Sequence, residues 1–335
     1  MGAIDSRLFK RNSIAKPHRQ RSTLARREEW IGWLFVSPWV IGFVLLTAGP
    51  MLASLGLSFT EATLLSPPRF VGLDNYRMLF STDEVKSLFW KSLSNTSYYV
   101  FLSVPLTVAL GFAMALLLNQ DLKGQGIFRT IYYLPSIMPP VAVATVWTWV
   151  FNKQYGLLNA ALAWVGIEGP AWLTSVEWSK PALVISSVWT AGGGMLVFLA
   201  GLQGVPTDLY DAAKVDGAGV WSRFRHVTLP MVSSTIFFVL VTSIITSFQV
   251  FVIVFVFSGA VGGSQAGSLG GPANSTLMYV VYLYRLAFKQ FRMGFASALA
   301  WIYFVILMVF TALVFKSSSA WVYYEGELLG GGDGK

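Results

Sequence analysis

The 335-residue chain contains no cysteine, which excludes both a disulfide framework and a thiolate metal site. Histidine is almost as scarce. His18 and His226 are the only two, too few to build an imidazole metal centre, and neither lies where a serine nucleophile would meet it. No catalytic residue and no metal ligand is assigned. Charge is also in short supply. Asp, Glu, Lys and Arg make up 12% of positions, against roughly 25% in a soluble domain, while 55% are apolar or aromatic. A water-soluble globule of this length would need far more polar surface, and a disordered chain would need fewer apolar residues.

The few charges are clustered. Residues 31–60, 92–120, 130–152, 181–207, 226–284 and 293–315 contain no Asp, Glu, Lys or Arg. Each run reaches or exceeds the roughly 20 residues that cross about 30 Å of hydrocarbon. This pattern predicts an all-α integral membrane protein with six transmembrane helices, near 31–58, 92–118, 131–151, 181–203, 231–258 and 295–315. The fifth run is long enough for two spans, but Gly and Pro dominate 259–272, so one span followed by a flexible loop is expected there. Tyr279, Tyr282, Tyr284 and Phe288 then form an aromatic segment of interfacial character.

With the N-terminus in the cytosol, the inside segments 1–30, 119–130, 204–230 and 316–335 hold 15 of the 24 Lys and Arg. Most of that excess is in the tail (Arg7, Lys10, Arg11, Lys16, Arg19, Arg21, Arg26, Arg27), so orientation rests chiefly on the first helix. Both termini are expected to be cytosolic in a bacterial-type inner membrane. The domain division is a basic tail (1–30), a six-helix transmembrane domain (31–316) and a C-terminal tail (317–335). The apolar run after the tail is about twice the length of a signal-peptide core and lacks a small-residue cleavage site, so it reads as an uncleaved span. The tail itself reads as an anchor near anionic headgroups of the lipid bilayer, not as a nucleic-acid site.

One loop has structure written into it. Residues 204–230 contain Pro206-Thr207-Asp208, a helix start in which Thr207 can cap and Asp208 complements the dipole. A short helix is predicted to Val215, a turn at Gly217, and a second short helix over Val220–Val227 with Trp221 and Phe224 at i, i+3. Ala212 and Ala213 leave a face that another protein could approach closely, with the Asp211 carboxylate beside it. Packing of the hairpin against its own bundle is the competing explanation.

The stretch Leu202-Gln203-Gly204-Val205-Pro206, with Leu209-Tyr210-Asp211-Ala212-Ala213, Asp216-Gly217-Ala218, Phe224, Val227 and Leu229-Pro230, resembles the EAA loop of ABC-importer permeases of the carbohydrate-uptake branch. Asp211 stands where Glu is usual and Val227 where Ile is usual. Further likeness to the maltose- and glycerol-phosphate-type first permease lies in Phe70-Val71-Gly72-Leu73-Asp74-Asn75-Tyr76, Gly156-Leu157-Leu158-Asn159 and Gly294-Phe295-Ala296-Ser297-Ala298. The resemblance implies a type I ABC importer permease fold with a cytosolic coupling hairpin between helices 4 and 5. It also implies that Tyr210, Asp211, Ala212, Ala213, Asp216, Gly217 and Ala218 engage an ATPase subunit.

The resemblance further implies an assembly of this chain, a second homologous permease, two cytosolic ATPase subunits and an extracytoplasmic substrate-binding protein. The chain is then no enzyme and binds no cofactor, since ATP and Mg belong to the partners. In keeping with that, it has no G-x-x-x-x-G-K-[ST] motif. The carbohydrate would be a di- or oligosaccharide, with an anionic oligosaccharide or glycerol phosphate as the alternative. In the fifth span Ser243, Thr246, Ser247 and Val250 share one helical face, and the maltose-type resemblance puts the sugar path there, with Gln249 beside it. Thr190 and Gly193 occupy the corresponding stretch of the fourth span. Helix–helix packing is the other use of such small residues. An ion-coupled secondary transporter is the rival class, and the absence of ionisable residues from the spans argues against proton coupling.

Overall fold

The computed structural model describes residues 23–63, 66–81, 83–120, 123–260 and 269–323. Most of the basic tail, the centre of the Gly-rich loop (261–268) and the end of the C-terminal tail (324–335) lie outside the described residues. The chain divides into two units, Met1–Ser54 and Leu55–Lys335.

The described part of the first unit, from Thr23, is helical. Helix α1 (Thr23–Phe43) passes through a π-helical turn, Val44–Ala48, into α2 (Gly49–Ser58), whose end lies in the second unit. Residues Arg27–Ser58 form a continuous apolar stretch of 32 residues, and Trp33, Leu34, Phe35 and Leu46 on it are exposed. A bilayer, not a protein core, satisfies such a surface.

The second unit opens with a two-residue antiparallel ladder, β1 (Thr60–Glu61) against β2 (Arg69–Phe70), then α3 (Asp74–Ser81). Asn75 ties α3 to the ladder by donating from Nδ2 to the carbonyls of Ser58 and Thr60, each at 2.9 Å. Helix α4 (Asp83–Leu118) follows, with Asp83 and Glu84 in its first turn where the dipole favours them. Its 36 residues span roughly 54 Å at about 1.5 Å rise each. α5 is Gln125–Ile137, α6 Pro140–Val150, α7 Leu157–Trp164, α8 Ser179–Val188 and α9 Gly192–Gln203. The short α10 (Thr207–Val215), α11 (Val220–Arg223) and α12 (Leu229–Met231) lead to α13 (Ser233–Phe248) and α14 (Val252–Ala260). α15 (Tyr279–Tyr284) and the long α16 (Met293–Ser318) close the unit.

Among the described residues four helical stretches are long and apolar enough to cross a membrane: Arg27–Ser58, Asp83–Leu118, Ser233–Gly259 and Met293–Ser318. α8 and α9, bent by 41° at their junction, would make a fifth. The third apolar run departs from the single helix expected over 131–151. It divides at Met138, which is extended (φ −68, ψ 144) because the residue before a proline is pushed out of the α region. The helix also starts earlier than expected, at Gln125, just after Gly124 in the left-handed conformation.

α4 is the element on which the others assemble, α9 and α13 most extensively, then α8, α3 and α15. The α5–α9 crossing is tight: a Cβ on Gly192 would come 1.8 Å from the Tyr132 carbonyl oxygen, so no other residue fits there. Among the described residues three apolar clusters form the interior, the smallest of them Phe237, Val241 and Val322. One surrounds Leu183, Leu277, Tyr279 and Leu299, and a smaller one surrounds Met195, Phe198 and Leu118.

The first half of the aromatic segment expected at an interface is core instead. Tyr279 and Tyr282 are buried, while Tyr284, its ring tilted against Phe251 and Phe288, is half-buried and Phe288 is exposed. The reason is that the polar groups here find internal partners. Tyr279 donates its hydroxyl to the Leu299 carbonyl at 2.9 Å, and its ring lies parallel to that of Tyr303 at 4.1 Å. Tyr303 in turn donates to the Phe248 carbonyl at 2.6 Å, where α13 ends. Asn95 and Thr96 of α4 complete the arrangement. Asn95 donates to the carbonyls of Asn274 and Leu277, and Thr96 accepts from the Tyr279 amide.

Removal of the Tyr303 hydroxyl by Tyr303→Phe is expected to cost about 1 kcal/mol, the usual scale for a hydrogen bond between membrane helices. Tyr303→Ala also removes the stacked ring and is expected to cost about 3–5 kcal/mol. Thermal unfolding of the purified complex in detergent would order the two variants that way; equal midpoints for both and the parent would refute the assignment.

Candidate functional site

A cavity of about 290 Å³ lies where α4, α8, α9 and α13 converge. α4 contributes Tyr99, Ser103, Thr107 and Val108, and α8 with the bend after it contributes Ser187, Thr190 and Ala191. Gly194 lies on α9, and α13 with its exit supplies Val239, Ser243, Thr246, Ser247 and Val250. The lining holds no charged residue. Its hydroxyls are carried by helices whose other faces are apolar, and several are tied to their own helix. Thr107 donates to Ser103 O at 2.8 Å, Ser187 to Val184 O at 2.7 Å, Thr190 to Ser187 O at 2.8 Å and Thr246 to Thr242 O at 2.9 Å. A hydroxyl that has given its proton to a helix carbonyl still presents lone pairs to a donor in the cavity.

Of the residues expected on a solute path, Thr190, Ser243, Thr246, Ser247 and Val250 meet in this cavity. Two do not. Gly193 faces α5, where a Cβ would lie 3.4 Å from Ser136, and Gly194 lines the cavity instead. Gln249 is exposed and outside the lining. The contribution of α4 went unforeseen, although Tyr99, Ser103 and Thr107 recur every four residues and mark one polar stripe on an apolar helix. Ser187 went unforeseen as well.

The 204–230 hairpin is formed as α10, α11, a π-helical turn (Phe224–Thr228) and α12. Pro206 precedes α10 with φ −59 and ψ 132, and Thr207 is the first helical residue, so it does not cap. Asp208 in the first turn and Lys214 in the last complement the dipole. Gly217 has φ +76, and the Ala218 amide returns to Ala213 O at 2.9 Å, closing the helix end as a left-handed residue allows.

Tyr210 ties the two arms together, its hydroxyl 3.0 Å from Thr228 Oγ1, and its ring packs on the smaller core cluster. Phe224 stands against Phe112 of α4. Asp211 is paired with Lys214 at 2.7 Å, and both are well exposed, so the pair adds little stability. Ala212, Asp216 and Gly217 are exposed, while Ala213 and Ala218 are half-buried. The hairpin also exposes Val215 (88%), Val220 (76%) and Trp221 (70%).

Among the described residues no group of three or more His, Asp or Glu is placed to hold a metal ion.

Residues 107–321 match the family described as "Binding-protein-dependent transport system inner membrane component". The chain is 41% identical over 313 residues to the probable ABC transporter permease protein YesP of Bacillus subtilis, covering 92% of this chain and 96% of that one. It is 33% identical over 300 residues to the trehalose/maltose transport system permease protein MalF of Thermococcus litoralis, covering 88% and 96%. Among solved structures, a chain of a bacterial alginate ABC transporter, in complex with an alginate pentasaccharide-bound periplasmic protein, superposes with a TM-score of 0.72. That match covers 89% of this chain and 97% of that one at 23% identity, a likeness of fold.

Because the chain has no cysteine of its own, the cavity can be probed with a single introduced thiol. Ser187→Cys is expected to react with a small water-soluble thiol reagent in the purified complex, and Ser247→Phe in the same background to slow that reaction at least severalfold. A rate unchanged by Ser247→Phe would show that the two residues do not share one space.

Proposed function

The chain belongs to the family of binding-protein-dependent transport system inner membrane components, and from that premise we propose that it is one permease subunit of an ATP-driven importer of a di- or oligosaccharide. The observation that carries this reading is the hydroxyl-lined, uncharged cavity among α4, α8, α9 and α13. Such a lining exchanges hydrogen bonds with the hydroxyls of a neutral saccharide and offers no counter-charge to an anion. Relatives named for trehalose/maltose and for lactose point to the same class of solute. Tyr99, Ser103, Thr107, Ser187, Thr190, Ser243, Thr246 and Ser247 are this chain's half of the path.

The proposal includes a topology of six crossings. α5 and α6 together make the third and α8 with α9 the fourth; both termini and the α10–α11 hairpin lie in the cytosol. Residues 31–316 are the permease domain, flanked by the two tails. A second permease completes the pathway, an extracytoplasmic binding protein delivers the solute, and two ATPase subunits supply the energy. ATP and Mg bind those subunits, and this chain catalyses no reaction.

The hairpin is the coupling element, docking into an ATPase through its exposed side. Tyr210 and Ala213 hold its shape, and Gly217 with Ala218 turns it. Asp211, Ala212 and Asp216 form the outer face beside Val215, Val220 and Trp221. The Asp211–Lys214 pair is weak enough to exchange for a basic partner on the ATPase. Closure of the two ATPases would then bias the permeases between inward- and outward-open states.

Uptake by the reconstituted importer tests both elements. Gly217→Val forces a β-branched residue to positive φ, and Asp211→Lys sets like charges side by side with Lys214. Both are expected to uncouple ATP hydrolysis from uptake while the chain still reaches the membrane. Ser247→Phe is expected to stop uptake with the subunit assembly intact. Normal uptake in all three variants would overturn the reading.

A further inference from the structure

The segment between α6 and α8 carries a surface that the transport reading does not use. α7 (Leu157–Trp164) is apolar except for Asn159, and residues 154–167 contain no charged side chain. One side of α7 is committed to the protein. Leu158 and Leu162 pack on the main core cluster. Asn159 is held on three sides, donating to Lys153 O and Pro170 O at 3.2 Å each and accepting from Trp172 Nε1 at 2.6 Å. Trp172 is itself buried against Phe151 and Trp178. The helix therefore cannot roll to hide its other side.

That other side is Leu157, Ala160, Ala161 and Trp164, at i, i+3, i+4 and i+7, and all four are exposed. Leu157 is 71% and Trp164 91% exposed, and the chain continues through Val165 (72%) and Ile167 (55%). Tyr155, just before the helix, is 72% exposed. In water this would be a standing apolar patch with two large aromatic rings. A partner that docks and leaves, as a delivering protein must, would return the patch to water in every cycle.

We propose that α7 is an interfacial helix, seated in the lipid headgroup–acyl boundary at the end of the bundle where α6 terminates. α6 likewise leaves Val141, Val146 and Trp149 exposed, and no charge follows them until Lys153. Trp164 and Tyr155 have the form that this boundary favours, an apolar ring with one polar atom at its edge. The helix binds the membrane by its stripe and the protein by Leu158, Leu162 and Asn159. It thus fixes the depth of the α6–α8 connection.

The absence of native cysteine makes the test direct. Single cysteines at Leu157, Ala161, Trp164 and, as an aqueous reference, Lys153 would be spin-labelled in the full chain, assembled with its partner subunits (their thiols blocked) in phospholipid nanodiscs. Collision rates with oxygen, which partitions into lipid, and with a water-soluble nickel chelate report the surroundings. At 157, 161 and 164 oxygen is expected to win by severalfold, and at 153 the chelate. Chelate access at the stripe equal to that at Lys153 would overturn the proposal in favour of an aqueous face. Protection from both reagents would overturn it in favour of a protein-covered face. Ala161→Cys removes no large side chain, so it decides the matter if Trp164→Cys fails to assemble.

Discussion

The constraint on which this structure depends is the lack of water in the bilayer interior. Every polar atom placed there needs a partner within the protein, because none comes from solvent. The backbone meets this demand by becoming helical. Where helices break, side chains take over: Tyr303 bonds the carbonyl at the end of α13, and Asn95 and Thr96 of α4 bond the irregular chain that leads into α15. α4 stands at the centre because it both packs the others and satisfies the backbone they leave open.

The same constraint shapes the cavity. Serine and threonine can enter an apolar helix by donating the hydroxyl proton back to a carbonyl three or four residues earlier, as Thr107, Ser187, Thr190 and Thr246 do. Lined up on the facing sides of α4, α8 and α13, they make a polar strip with no ionised group to desolvate. A neutral polyhydroxylated solute suits such a strip, since it loses hydrogen bonds to water and regains them from hydroxyls. The 204–230 hairpin follows a different rule, because most of its side chains are exposed. There the fold leaves an exposed ion pair and three exposed apolar side chains around a left-handed glycine.

The legibility of these features followed the length scale of the forces behind them. The 204–230 hairpin was readable because its determinants are local: a proline before the helix, an acid in its first turn and a glycine at its end. Thr207 was misjudged as the cap because Pro206 already holds the extended geometry that precedes α10. The serine–threonine face of α13 was readable from its period, whereas Gly193 and Gln249 point away from the cavity. Their direction depends on the bend between α8 and α9 and on where α13 ends, neither of which has a periodic signature. Tyr279 and Tyr282 looked interfacial by composition alone, but both are buried, Tyr279 held inside by the Leu299 carbonyl and the Tyr303 ring.

Composition and the spacing of charges were enough to determine a membrane protein of several apolar helices, because transfer of charge out of water is costly wherever the helix later packs. The short-range code also determined the hairpin turn. Only tertiary structure decided which polar faces meet: Tyr99, Ser103 and Thr107 of α4 became cavity-lining because α8, α9 and α13 pack against that helix. It likewise decided which apolar faces remain uncovered, since a stripe such as 157, 160, 161 and 164 is identical in sequence whether it seeks a core or a membrane. The difference lies in Asn159, whose three hydrogen bonds turn that stripe away from the protein.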